Sequence, residues 1–160
     1  MLGMPDAPTL KDRLQTDLTS AMRSQDEVRK ATLRMALAAI TNEEVSGKSA
    51  RELADGEVVT VLTREAKKRR EAAEAYDLAG RAELAARERA EGVVLEEYLP
   101  AQLSTGELEA IVDAAVAAAA ADGATGPKAM GAVMKRIQPQ LGGRADGSAV
   151  AALVRARLAE

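Results

Sequence analysis

Residues 64–77 read REAKKRREAAEAYD, and five of the first seven are Lys or Arg. Such a run is either a nucleic-acid patch or the wet side of a helix. At roughly 100° per residue on a helical wheel, Val58, Leu62, Ala66, Ala73 and Tyr76 form one apolar stripe. Arg69 falls inside that stripe, and the other four cations fall outside it. Glu65–Arg69, Lys67–Glu71 and Arg70–Glu74 stand at i,i+4 spacing, where opposite charges attract across one helical turn. From 64 to 77 the balance is five basic against four acidic residues, so the run is close to neutral. Lys67, Lys68 and Arg70 therefore belong to a solvated, ion-paired face.

Arg69 needs its own explanation. Gly80 is the natural end of this helix. An antiparallel hairpin about Gly80 sets Tyr76 opposite Leu84, Ala73 opposite Arg87, Arg69 opposite Glu91 and Leu62 opposite Tyr98. The stripe of the next helix (Leu84, Arg87, Glu91, Val94, Leu95, Tyr98) contains Glu91 at the height of Arg69. A structural Arg69–Glu91 ion pair is expected, because a guanidinium matches a carboxylate through two parallel bonds.

The remaining chain reads as helix with clear punctuation. Thr9 caps a first helix carrying Leu10, Leu14, Leu18 and Met22. Asp26 caps a second, reaching about Ser46, with two apolar faces: Val28, Ala31, Met35 and Ala39, then Leu33, Leu37 and Ile40. Residues 46–54 form a loop, Asp55 caps helix three, and helix four spans about 81–98. Gly92 within it costs about 1 kcal/mol. Ser104 with Glu107 is a capping box for helix five, 105–121. Pro127 opens helix six, Pro139 and Gly142-Gly143 end it, and Asp146 caps helix seven. The expected fold class is all-α: a four-helix N-terminal domain, 9–98, a hinge at 99–104, and a three-helix C-terminal domain, 105–160.

Composition limits the chemistry. The 160 residues include 47% apolar ones, enough for a core, but no Phe or Trp and only Tyr76 and Tyr98 as aromatics. The core must rest on Leu, Val, Ile, Met and Ala. Net charge is −3; up to Leu99 there are 16 basic and 19 acidic residues, and after it 6 of each. Neither part is a basic domain, and no DNA partner is expected. With no Cys and no His, thiol and imidazole catalysis, disulfides and most zinc sites are excluded. No phosphate-cradling, nucleophile-elbow, dinucleotide or HExxH motif occurs. Glu43-Glu44 and Glu96-Glu97 are adjacent pairs splayed by about 100°, which suits solvent better than acid–base work. No catalytic residue, metal or cofactor is expected. The start, MLGMPDAPTL, lacks the pattern of a signal peptide, and no run is long enough for a bilayer, so the expected location is cytoplasmic with no membrane partner.

Four stretches carry a resemblance: TLRMALAAITNEE (32–44), REAKKRREAAEAYDLAGR (64–81), VLEEYLPAQLSTGEL (94–108) and AMGAVMKRIQPQLGGRADGSAVAALV (129–154). From about Leu10 to Leu158 the chain resembles the GatB/YqeY family of small all-helical bacterial proteins. The Ala-rich helix five departs from more polar relatives. A similar domain forms the tail of the GatB component of the aspartyl/glutamyl-tRNA amidotransferase, where it contributes to tRNA recognition while catalysis lies elsewhere. The resemblance implies a non-catalytic, tRNA-associated accessory module. It carries a family-level link to carbon–nitrogen ligase activity with glutamine as amido donor, which would need partner subunits. Implied partners are tRNA or amidotransferase subunits. The RNA-facing candidates by this analogy are Lys128, Lys135, Arg136 and Arg144. Gly142-Gly143 and the start of helix seven could admit a phosphate, although Asp146 competes for the same N–H groups as a cap. Met130 and Met134 are expected in the core. The alternative is a helical protein–protein interaction adaptor without RNA binding.

Overall fold

The structure, a computed structural model, describes residues 7–160. The reading of MLGMPD lies outside the described residues. Among those described there are seven α-helices, one 3₁₀ turn and no strand, in two compact units; the first ends at Leu99 and the second spans Pro100–Glu160.

In the first unit, α1 (Leu10–Ser24) starts with a reciprocal cap: Asp12 N–H donates to Thr9 Oγ1 and Thr9 N–H to Asp12 Oδ2, both at 3.1 Å. Gln25 ends it with φ 60°, and Asp26 caps α2 (Glu27–Glu44) by accepting from Arg29 N–H. The third helix, α3 (Asp55–Leu78), starts at Asp55, the residue expected to cap it. Ala54 holds the N-cap position and donates its N–H to Glu57, while Asp55 accepts from Leu10 N–H at 3.0 Å. Asp55 thus satisfies the open end of α1 rather than of its own helix. After Gly80 (φ 72°), α4 (Ala82–Glu96) returns along α3.

The apolar core of this unit joins Leu10, Leu14, Leu33, Ile40, Val58, Leu62, Leu95 and Tyr98 with smaller neighbours. Met22, expected on the apolar stripe of α1, is exposed. Glu44, expected in solvent, is buried. Its carboxylate accepts from Lys11 Nζ at 2.9 Å and from Leu53 N–H at 3.3 Å, which fastens the 46–54 loop. Two charges at the far end of α4 are also committed: Arg29 binds Glu97 through two bonds, at 2.6 and 3.0 Å. Tyr98 O–H donates to Asp17 at 2.5 Å, and Arg13 lies over the Tyr98 ring.

Among the described residues, the core takes nothing from α3 beyond Ala66 or from α4 before Val94. Beyond that line Ala73 and Ala85 are buried, and between them and the core lies a layer of charge. Arg69 is 9% exposed, Glu65 8% and Glu91 8%. Arg69 Nε stands 3.3 Å from Glu91 Oε2 and 3.7 Å from Glu88, while Nη2 reaches Glu65 at 3.5 Å and touches the Met35 sulfur. Arg69 Nε and Glu88 Oε2 are buried without a hydrogen bond. Three carboxylates therefore converge on one guanidinium. Exposed Lys68 and Arg87 supply further charge to Glu65 and Glu91 from the rim. Ala85 and Glu88 turn inward on α4, while Leu84 and Arg87 stay exposed. Lys67 pairs with Glu71, but Arg70 and Glu74 form no ion pair among the described residues.

The second unit packs α5 (Thr105–Ala121), a 3₁₀ turn (Pro127–Ala129), α6 (Met130–Leu141) and α7 (Gly147–Leu158) around Val112, Val133, Ile137, Val150 and Val154. Ser104 and Glu107 form the cap of α5, and Met130 and Met134 pack, partly buried, against this core. Pro139 does not end α6, which continues to Leu141 before Gly142 turns left-handed at φ 52°. Gln102 and Leu103 belong to this unit through bonds to the carbonyls of Gly143 and Arg144.

Two outcomes follow for the hairpin, read by tyrosine fluorescence in a urea titration, since both tyrosines lie in the first unit. Arg69→Ala removes the shared cation from two buried carboxylates and a half-buried one and should cost about 3–5 kcal/mol. Gly92→Ala should add stability, about 0.5–1 kcal/mol from helix propensity. A Cβ there meets Arg69 Cβ at 3.8 Å, an ordinary contact.

Candidate functional site

Residues 123–145 contain Lys128, Lys135, Arg136 and Arg144 and no carboxylate. In a chain with more acid than base, this is the longest stretch free of carboxylates and the one with the most cations; 28–42 is also acid-free and holds three, Arg29, Lys30 and Arg34. Gly126, at φ 69°, sets up the 3₁₀ turn that presents Lys128. α6 carries Lys135 and Arg136 on the side away from Val133, Ile137 and Leu141.

The four cations do not act together. Arg136 forms an ion pair with Asp122 at the end of α5. Arg144 folds back on α6: Nη2 donates to Gln140 O at 2.7 Å and Nε to Leu141 O at 3.2 Å. This satisfies carbonyls that the helix end leaves open and places a cation at the negative end of its dipole. The backbone carbonyl of Arg144 also accepts from Leu103 N–H at 2.8 Å. Arg144 is therefore a structural clamp, and only Lys128 and Lys135 of the four are exposed without an ion pair among the described residues. Lys128 stands on the 3₁₀ turn that leads into α6, and Lys135 stands within α6.

Asp146 accepts from Ser148 N–H at 3.2 Å, so part of the N-terminal turn of α7 is used by its own cap. No group of three or more acidic residues suited to a metal ion occurs among the described residues. Nor is any helix among them long and apolar enough to cross a membrane.

Several carboxylates are held below their ordinary range. Glu57 sits at about 2, chiefly through its bonds from Arg51 and then from Ala54 N–H. Glu44 is lowered by Lys11, Glu97 by Arg29, and Glu107 by Ser104 N–H. Each stays charged at neutral pH, the opposite of what a general acid needs. Burial and the Asp17 bond raise the Tyr98 hydroxyl, which keeps its proton.

Among the described residues, seven α-helices in two compact units define a small helical protein. A family model described as Yqey-like protein matches residues 11–158, and the chain belongs to that family. No curated protein matches it.

The depressed carboxylates set the acid response. In the unfolded chain they take up protons near 4.5, the ordinary value, while in the fold they resist. Their contribution is complete above that value and is lost as pH falls below it, for Glu57 as pH nears about 2. The melting temperature should thus be flat at higher pH and drop through this window. Glu57→Gln should lower it at neutral pH and flatten the acid limb.

Proposed function

We propose that the protein is a non-catalytic, tRNA-associated accessory module whose C-terminal domain, 105–160, faces the RNA. The observation that carries this reading is the acid-free segment 123–145 with two exposed lysines, Lys128 and Lys135, in no ion pair among the described residues. Exposed ammonium groups bind phosphate oxygens and release condensed counterions. Lys128 and Lys135 make the contact, while Arg136 stays paired with Asp122 and Arg144 holds the loop that follows α6. The chain works in the cytoplasm, as the resemblance to the amidotransferase tail domain suggests. Any part in carbon–nitrogen ligation with glutamine as amido donor belongs to partner subunits.

Binding of unfractionated tRNA, followed by fluorescence anisotropy, tests this. With two lysines engaged, log affinity should fall against log salt with a slope of about −2. Lys128→Glu with Lys135→Glu should abolish binding while leaving the helical circular dichroism unchanged. No binding at low salt sinks the proposal. The lone chain should give no product in a misacylated-tRNA amidation assay.

A second reading, a protein–protein adaptor, is favoured by apolar side chains left in solvent on the hairpin. Leu78 is 91% exposed and Val93 58%. An adaptor would bind its partner equally well with both lysines reversed.

A further inference from the structure

Resting on that reading, we infer that the RNA feature taken by this face is the phosphate ridge of a duplex, not unstacked bases. Proteins that take single strands need flat groups for bases to stack on, usually aromatic rings and otherwise arginine planes. The only rings in the chain are Tyr76 and Tyr98, and both precede the second unit. The guanidinium planes of the acid-free segment are already used. Arg136 lies on Asp122, and Arg144 lies on the last carbonyls of α6.

What remains is a pair of ammonium groups, compact charges with no plane. Between them in sequence stand Gly131 and Ala132, both exposed, and nothing lies within 4 Å of the position a Cβ would take on Gly131. A ridge of phosphates meets no long side chain there as it approaches α6. Such a face senses the density of charge and is blind to base identity. A duplex carries a denser row of charge than a single strand, so it releases more counterion for each phosphate neutralised.

The test uses the full chain at low salt with a blunt RNA duplex, and with each of its strands designed not to fold. The expected result is several-fold tighter binding to the duplex, equal affinity for duplexes of unrelated sequence, and loss of both with Lys128→Glu and Lys135→Glu. Equal or tighter binding to a single strand, or discrimination between duplex sequences, overturns this inference and leaves the proposed function standing. Failure to bind any of these RNAs overturns both.

Discussion

With almost no rings to bury, this chain can join its helices only by bringing their backbones close. Buried alanines mark where that happens: Ala36, Ala66, Ala73 and Ala85 in the first unit, Ala115, Ala119 and Ala129 in the second. Each removes little apolar area from water. Where the supply of Leu, Val and Ile runs out, polar devices take over. Arg69 with its three carboxylates spans the hairpin, Glu44 fastens a loop, and Asp55 closes the start of α1. These are connections between elements, made by residues that would ordinarily sit in solvent.

The helices were legible because their ends are written in local chemistry. Thr9, Asp26, Ser104 and Asp146 cap the helices they precede, and Gly80 and Gly142 turn left-handed after the helices they follow. What periodicity could not give is which part of a face a neighbour covers. Leu84 sits on the inward side of α4 by spacing, yet Ala85 is the residue that is buried there and Leu84 stays exposed. Glu65 and Glu44 looked like surface charges and are buried. The partners of Glu44 come from another helix and a loop, which a wheel does not show; Glu65 pairs along its own helix, and what its spacing left out is that this face is covered. Asp55 misled for the same reason: its spacing fits a cap, but α1 takes the carboxylate.

The candidate site was legible as residue types and not as an arrangement. Lys128, Lys135, Arg136 and Arg144 stand within one short acid-free segment, yet two of the four are spent inside the fold. One signal was available. An arginine just after paired glycines at a helix end is well placed to turn back on the open carbonyls. The Arg136–Asp122 contact had no such local sign, because it depends on how α5 and α6 pack. The charge a partner meets is thus smaller than the charge the sequence displays, and it narrows to the lysines.

The layer around Arg69 also gives the hairpin its own response to temperature. Apolar contacts hold the base of α3 and α4, whereas the next layer outward is ionic. Apolar stabilisation levels off on heating, while the cost of stripping water from charges falls. Warming therefore strengthens the outer layer relative to the core beneath it. The far half of the hairpin, beside the close packing of Ala73 and Ala85, is tied on by a kind of contact that heat favours.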